Sequence, residues 1–183
     1  MKSTARVVVI GGGVAGVATL YHLAKKGWTD VVLVERKELT SGSTWHAAGL
    51  LPLFNMSYSV GQIHKYSVDF YQRLEKETGH SVGFRQVSNI RLAMSEDRLD
   101  EYRYYAGVAR TIGVDVRILS PDQVQTIWPL CRTDGLLGAI QHPDDGYIQP
   151  ADLTQALAAG ARSLGAEVYR HNAVTALAEL PGG

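Results

Sequence analysis

The first 35 residues constrain the fold most, because two apolar runs are separated there by a glycine-rich loop and a helical pattern. Residues 7–10 read Val-Val-Val-Ile, and residues 31–34 read Val-Val-Leu-Val. Between them, GGGVAG at 11–16 opens a stretch whose apolar residues recur at helical spacing, and Gly27 is positioned to end that helix. A strand, glycine loop, helix and second strand in this order predict a βαβ unit.

Three glycines of this loop have distinct physical roles in the predicted unit. Gly11 permits a tight turn, Gly13 lets the backbone approach a pyrophosphate, and Gly16 lets the helix pack closely on the strand. The pyrophosphate is expected at the helix N-terminus, where unpaired N–H groups and the helix dipole favour an anion. Glu35 ends the second strand, where a carboxylate accepts hydrogen bonds from an adenosine ribose. We therefore predict a dinucleotide site rather than a glycine-rich turn without a ligand.

The residues after the second strand favour FAD over a nicotinamide dinucleotide. Arg36 alone would suit a 2′-phosphate, but the carboxylate of Glu35 would repel one. A nicotinamide-binding module normally continues into another helix and strand, whereas residues 39–49 read LTSGSTWHAAG. Ser43 and Thr44 can donate hydroxyl hydrogens to phosphate, and small residues leave room for a ribityl chain and ring. These small residues are Gly42, Ala47, Ala48 and Gly49.

Several motifs together resemble a known family. The chain is similar to the FAD-dependent amine oxidoreductases of the D-amino-acid oxidase superfamily and, within it, to the dimethylglycine and sarcosine dehydrogenases. The motifs are VVVIGGGVAG, VVLVERKELTSGSTWHAAGL, NIRLAMSEDRLDEY, HPDDGYIQP and LTQALAAGAR. The resemblance implies that His46 carries FAD through a covalent bond to the 8α-methyl carbon of the flavin. From the residues alone, an ordinary loop histidine is the alternative.

The resemblance also implies roles for other positions. Val14 and Ala15 are expected at the phosphates, and Glu35 and Arg36 at the adenosine. The backbone of Val174 is expected to meet the adenine, whereas the residues alone favour a simple valine of a core strand. The flavin side is expected to follow Gly42, Ser43, Thr44, Trp45, His46, Ala47, Ala48, Gly49 and Leu50.

The same resemblance implies the activity of a longer enzyme, of which this chain is the amino-terminal portion. Such an enzyme oxidises dimethylglycine or sarcosine by hydride transfer from the N-methyl carbon to flavin, and water or tetrahydrofolate captures the product. The electrons then pass to an electron-transfer protein or to oxygen. No catalytic acid, base or nucleophile is predicted in this chain, because the groups that cover the flavin are expected beyond its end. A stand-alone dinucleotide-binding module without catalysis is the alternative.

Composition bears on the remaining classes of function. Lysine plus arginine and aspartate plus glutamate number 18 each, so the net charge gives no reason to expect nucleic acid as a partner. No apolar run approaches the roughly 18 residues of a membrane span. Because the first strand begins almost at once, we expect no leader segment and a cytoplasmic location. Cys131 is the only cysteine, which excludes an internal disulfide and a cysteine-rich metal site, and no metal is predicted.

The fold class predicted is α/β: a Rossmann-like FAD-binding βαβ domain with the start of an interleaved α+β substrate domain. The first part of the FAD-binding domain is assigned to 1–86, the substrate-domain segment to 87–149, and the return to the FAD-binding domain to 150–183. Helices are predicted over 59–76, from Ser95 to Ile112, from Ser120 to near 129, and from 150. Strands are predicted over 87–94 and around Val168 and Val174. The apolar face of the 59–76 helix is assigned to Val60, Ile63, Phe70 and Leu74.

Two clusters have competing interpretations. Tyr102, Tyr104 and Tyr105 either pack in a core or form an aromatic box around a methylated amine, and tyrosines at helical spacing favour packing. The segment HPDDG at 142–146 contains a histidine and two carboxylates, which suggests a metal. Proline, aspartate and glycine at adjacent positions favour a turn instead.

Overall fold

The computed structural model describes residues 2–179 and has the mixed α/β architecture that the sequence predicts. Its secondary structure comprises β1 (Val7–Ile10), α1 (Val14–Lys25), β2 (Val31–Val34), a 3₁₀ turn (Ser43–His46), β3 (Leu50–Leu51), α2 (Tyr58–Thr78), β4 (Arg85–Gln86), β5 (Asn89–Ala93), α3 (Glu96–Ile112), β6 (Arg117–Leu119), α4 (Pro121–Ile127), β7 (Gly138–His142), β8 (Gly146–Tyr147), α5 (Pro150–Ser163) and β9 (Glu167–Tyr169).

The chain forms two compact units that alternate along the sequence. Unit 1 comprises the residues up to 49, residues 73–83 and those from 149 onward, and unit 2 comprises residues 50–72 and 84–148. Residues 50–72, assigned to the FAD-binding domain by the sequence, therefore lie in unit 2.

Unit 1 is built around a parallel three-stranded sheet in the order β1-β2-β9. Val7 lies beside Val31 and Ile10 beside Val34, so the two apolar runs are neighbours as the βαβ prediction requires. Helices α1 and α5 pack against each other. The fully buried side chains of this unit include Val17, Leu20, Val31, Leu33 and Leu157.

The glycine loop has the geometry expected from its sequence. Gly11 adopts a φ of +108°, in the left-handed region that favours glycine. A Cβ atom on Gly16 would lie 2.1 Å from the carbonyl oxygen of Gly11 and 3.5 Å from a methyl carbon of Val9. The roles predicted for Gly11 in the turn and for Gly16 in close packing are thus confirmed.

Unit 2 contains an antiparallel sheet in the order β5-β7-β6 and a small sheet in the order β3-β8-β4. The core that includes α3 contains Tyr102, Tyr105, Ala109 and Ile140 among its buried residues. A second core, which includes α4, contains Leu119, Val124, Cys131, Leu136 and Ala139.

The predicted helix starts are confirmed by their hydrogen bonds. The Ser95 side chain accepts from the backbone N–H of Arg98. Ser120 and Gln123 form a reciprocal capping box, with Pro121 at the first helical position. These caps satisfy N–H groups that a helix cannot pair internally, which is why the sequence signals locate both starts well.

The predicted apolar face of α2 is partly wrong. Phe70 and Leu74 are buried, but Val60 and Ile63 are 38% and 62% exposed. The buried face runs instead through Gly61 and Val68, which are two turns apart. A Cβ atom on Gly61 would lie 2.5 Å from Ile112 Cδ1, so the glycine allows close helix packing that a hydrophobicity pattern cannot register.

The tyrosines of α3 have separate environments. Tyr102 and Tyr105 are buried, and their hydroxyl groups donate to the carbonyl oxygens of Leu92 and Leu53 at 3.3 and 3.1 Å. Tyr104 is exposed. The packing interpretation is confirmed for the two buried rings. Over the part of the chain described, no helix has both the length and the apolar character to cross a membrane.

Replacing Gly16 by alanine tests the close approach of α1 to the glycine loop. Because the obstacle is a backbone oxygen at 2.1 Å, the loop or the helix must shift. We expect the free energy of unfolding to fall by about 1–3 kcal/mol. Urea denaturation monitored by circular dichroism measures this change.

Gly107→Ala is the matched control, because Gly107 lies within α3 and a Cβ atom there meets nothing within 4 Å. Alanine should raise stability at this position by about 0.5–1 kcal/mol through helix propensity. Equal effects of the two substitutions would contradict the packing role of Gly16.

Candidate functional site

A pocket of about 430 Å³ lies beside the glycine loop of unit 1. Three chain segments form it: the loop between β1 and α1, the residues that follow β2, and the turn that leads into the 3₁₀ helix. The residues that line it are Gly11, Gly12, Gly13, Val14, Ala15, Glu35, Arg36, Lys37, Ser41, Gly42, Ser43 and Thr44. The structure thus brings together nine of the predicted site residues, and adds Gly12, Lys37 and Ser41.

The N-terminus of α1 opens into this pocket. Gly13 precedes the helix in an extended conformation and provides no side-chain cap. Thr44 Oγ1 accepts the hydrogen bond from the backbone N–H of Val14 at 3.0 Å. A Cβ atom on Gly13 would lie 3.0 Å from this oxygen, so the glycine permits the approach of Thr44. A threonine hydroxyl that accepts one hydrogen bond can still donate its own hydrogen to an anion at the helix end.

The Glu35 carboxylate ties the end of β2 to the glycine loop. One oxygen accepts from the backbone N–H of Gly12 at 2.7 Å, and the other accepts from that of Lys37 at 2.8 Å. Burial raises the pKa of Glu35. The backbone donors and the charge of Arg36 lower it by a larger amount, so the pKa of Glu35 lies below its ordinary value. Glu35 is therefore ionised at neutral pH and can accept further hydrogen bonds.

The predicted flavin segment divides after Gly49. Trp45 and His46 lie at the end of the 3₁₀ turn, with their ring centroids 4.0 Å apart and their planes inclined by 36°. Both side chains are exposed, as are Ala47 and Ala48. Gly49 adopts a φ of +75°, and Leu50 begins β3 in unit 2. None of residues 45–50 lines the glycine-loop pocket as described.

The strand predicted around Val174 is wrong. β9 ends at Tyr169, and Val174 lies in an irregular segment with 43% of its surface exposed. Beyond β9, His171 adopts a φ of +59°, and the backbone N–H of Asn172 donates to the carbonyl oxygen of Glu35. Val174 lines a different hollow of unit 1, together with Val8, Val32, Val34 and Tyr169 among others.

The turn predicted at HPDDG is confirmed, since residues 143–145 connect β7 to β8. Among the described residues, no group of three or more histidine, cysteine, aspartate or glutamate side chains is arranged to hold a metal ion. The sequence did not predict, however, that His142 and Asp145 would be buried, with 0% and 2% of their surfaces exposed. A charged residue after proline in a turn normally indicates exposure, so no local signal could have shown this burial.

Burial perturbs both of these groups. It lowers the pKa of His142 to about 4, and the positive charge of Arg91 adds to this effect. Burial also raises the pKa of Asp145 to about 6, although the N–H of Leu53, which donates to Oδ1 at 2.8 Å, and the charge of Arg91 oppose the rise. Each group therefore favours its neutral form more than it would in water.

Comparison with known families gives a match over almost the whole chain. The sequence profile described as FAD dependent oxidoreductase, DAO, matches residues 6–183. Dimethylglycine dehydrogenase, mitochondrial, of Rattus norvegicus is 44% identical over 182 residues, covering 100% of this chain and 21% of the relative. Sarcosine dehydrogenase, mitochondrial, of Homo sapiens is 41% identical, covering 97% of this chain and 19% of the relative.

Two further comparisons extend this result. The pyruvate dehydrogenase phosphatase regulatory subunit, mitochondrial, of Mus musculus is 35% identical, covering 95% of this chain and 20% of the relative. The crystal structure of L-proline dehydrogenase from P. horikoshii aligns with a TM-score of 0.86 at 26% identity, covering 93% of this chain and 45% of that one. The chain therefore spans about a fifth of the length of these curated relatives.

The opposite pKa shifts of His142 and Asp145 predict compensating effects of pH on stability. In the unfolded chain these groups have ordinary values of 6.5 and 3.8. Between about pH 4 and 6, folding releases a proton from the histidine and takes one up on the aspartate, so the two groups together exchange almost no net proton.

Breaking the pair should expose each contribution. In Asp145→Asn only His142 remains, and between about pH 4 and 6.5 its imidazole binds a proton in the unfolded state but not in the folded state. The free energy of unfolding of this variant should therefore rise with pH over that range more steeply than that of the parent. In His142→Gln, Asp145 remains, and stability should fall as pH rises from about 4 to 6. Each slope should approach about 1.4 kcal/mol per pH unit, measured by urea denaturation across this range. Parallel pH profiles for the parent and both variants would contradict the buried pair.

Proposed function

The chain belongs to the family of FAD-dependent oxidoreductases, and on that premise we propose that it is the amino-terminal FAD-binding portion of an enzyme that oxidatively demethylates N-methylated glycines. The observation that carries this proposal is the 44% identity to a dimethylglycine dehydrogenase over the whole chain, together with the glycine-loop pocket. Because the chain spans about a fifth of that relative, the activity is proposed for a longer protein that contains this chain.

The chemistry of the pocket fits FAD. The pyrophosphate would lie at the N-terminus of α1, near the backbone of Gly13 and the hydroxyl of Thr44. Glu35 would bind the ribose hydroxyl groups through the carboxylate lone pairs that the N–H groups of Gly12 and Lys37 leave free. Cβ atoms on Gly11 and Gly42 would meet no protein atom within 4 Å, so these positions leave space beside the pocket. Bound FAD supplies the two-electron acceptor for the N-methyl carbon–hydrogen bond.

His46 is proposed to anchor the flavin covalently. It follows Thr44 by two residues, so the chain passes directly from the pyrophosphate region to the imidazole. The ring is exposed and packs against the tilted ring of Trp45, which restricts its orientation. An exposed neutral imidazole has a nitrogen lone pair available as a nucleophile toward an electrophilic carbon.

Dimethylglycine or sarcosine is the proposed substrate class, because these two amines are named in the relatives at 44% and 41% identity. An electron-transfer protein or oxygen would accept the electrons, and tetrahydrofolate would serve as a one-carbon acceptor in the longer protein. No group of this chain is assigned as a catalytic acid, base or nucleophile.

A module that binds a dinucleotide without catalysis is the second candidate. The relative named as a regulatory subunit favours it, because that protein shares 35% identity with this chain and its name describes no redox reaction. The two candidates differ in whether bound flavin is reduced by an amine.

The role of His46 can be measured directly in the longer protein. After denaturation, the flavin should remain attached, and a proteolytic peptide containing His46 should carry the mass of FAD. His46→Ala should abolish covalent attachment, because alanine has no nucleophilic nitrogen.

His80→Ala is the matched control, since His80 is an exposed histidine of the same unit outside the pocket. It should retain covalent flavin at the parent level. Recovery of the unmodified His46 peptide in full yield from active yellow enzyme would show that the covalent role is wrong.

The enzymatic proposal is tested by anaerobic mixing of the flavin-loaded longer protein with dimethylglycine or sarcosine. We expect bleaching of the flavin absorbance by at least one of these amines and no bleaching by glycine, which has no N-methyl group. The isolated 183-residue chain should show no turnover even with FAD and an artificial electron acceptor. A longer protein that binds FAD but is reduced by neither amine would favour the non-catalytic module.

A further inference from the structure

Thr44 is the buried residue of the 3₁₀ turn that carries His46. Its neighbours Ser43, Trp45 and His46 are exposed, whereas Thr44 keeps only 9% of its surface accessible. Burying a hydroxyl group is unfavourable unless the group forms a hydrogen bond. The place of Thr44 in the fold therefore depends on its hydrogen-bond partner.

That partner is the first backbone N–H of α1. The N–H of Val14 donates to Thr44 Oγ1 at 3.0 Å. A helix usually receives such an acceptor from the residue that precedes it, but Gly13 has no side chain to provide one. Thr44 supplies the acceptor from 30 residues further along the chain. A Cβ atom on Gly13 would lie 3.0 Å from Thr44 Oγ1, so the glycine gives the threonine access to the helix end.

Backbone hydrogen bonds extend this anchor to the whole turn. The N–H of Ala47 donates to the carbonyl oxygen of Thr44 at 3.2 Å, which closes the turn that contains His46. The turn also contacts α5 of the same unit. At the start of the segment, the N–H of Thr40 donates to the carbonyl oxygen of Gly12 at 3.0 Å. The position of His46 relative to the glycine loop thus follows from contacts within unit 1.

The Thr44 hydroxyl has a hydrogen to donate in addition to the bond that it accepts. Thr44 lines the glycine-loop pocket, beside the N-terminus of α1. An anion bound there can accept the hydroxyl hydrogen, which creates a chain from the Val14 N–H through Oγ1 to the anion. Hydrogen bonds in such a chain polarise and strengthen one another. Anion binding therefore strengthens the contact that holds the turn on α1.

We propose that Thr44 is a positioning residue that couples pyrophosphate binding at α1 to the placement of the turn that carries His46. The inference rests on the FAD site of the proposed function, but it does not depend on which amine is oxidised. Because the coupling is a difference in binding free energy, it acts in both directions: a well-placed turn also tightens pyrophosphate binding.

ADP is the probe for this coupling, because it contains the pyrophosphate and adenosine of FAD but no flavin. The experiment uses the longer protein with His46→Ala, from which flavin can be removed whether or not the histidine forms a covalent bond. Hydrogen–deuterium exchange with mass spectrometry then follows peptides covering 11–18 and 43–49, with and without saturating ADP. We expect ADP to slow exchange in both peptides.

Thr44→Val keeps the shape of the side chain but removes the hydroxyl. ADP should then still slow exchange at 11–18 and no longer at 43–49, and its dissociation constant should rise about two- to tenfold, the size of one hydrogen bond. Thr44→Ser should restore the response at 43–49, and Thr44→Ala should behave like Thr44→Val. A general loss of stability would instead raise exchange in both peptides.

Thr19→Val is the matched control, because Thr19 is exposed on α1, donates its hydroxyl hydrogen to the Ala15 carbonyl oxygen at 2.9 Å and lies outside the pocket lining. It should keep the response of both peptides to ADP. Equal slowing at 43–49 in Thr44→Val and its parent would overturn the role of Thr44 and leave the FAD site standing. A parent protein that does not bind ADP would overturn both.

Discussion

The hydrogen bond from the Gly12 backbone to Glu35 is the contact on which the glycine-loop pocket depends. It joins the first loop of the βαβ unit to the end of the second strand across 23 residues of sequence. The loop is also held by the N–H of Gly11, which donates to the Val34 carbonyl at 2.9 Å. A Cβ atom on Gly12 would lie 3.0 Å from Glu35 Cβ and 2.6 Å from Leu39 Cδ2, so only glycine permits this contact without movement. The carboxylate thus shapes the loop through contacts within the protein.

Several elements of both units could be predicted from the sequence because local chemistry determines them. Apolar runs define β1 and β2, glycine conformations define the loop, and side-chain caps at Ser95 and Ser120 start α3 and α4. Gly12 was not anticipated as part of the site, because the usual pattern assigns its position no fixed residue. Its role becomes visible only when β2 is placed beside β1 and Glu35 faces the loop.

Features that depend on distant packing could not be predicted in this way. The buried face of α2 passes through Gly61, whose partner Ile112 lies 51 residues later in the sequence. The burial of His142 likewise depends on Phe54, Tyr105 and the strand β5. The Asp145 carboxylate is contacted by the backbone N–H of Leu53, 92 residues earlier. A periodic pattern reports which residues could face a core, but it does not report which neighbour covers them. The segment after β9 shows the same limit, because neither the positive φ of His171 nor the hydrogen bond from Asn172 to Glu35 is visible in the apolar pattern around Val174.

Two electrostatic features of opposite sign border the pocket. The N-terminus of α1 carries partial positive charge, which favours the anionic pyrophosphate. Glu35 is negative, and its lowered pKa keeps it ionised across the neutral range. Each of its two carboxylate oxygens accepts one backbone N–H and has a further lone pair. A neutral diol such as a ribose supplies two donors for these lone pairs, whereas a 2′-phosphate would bring negative charge against them. The carboxylate that holds the glycine loop is therefore also suited to select an unphosphorylated adenosine.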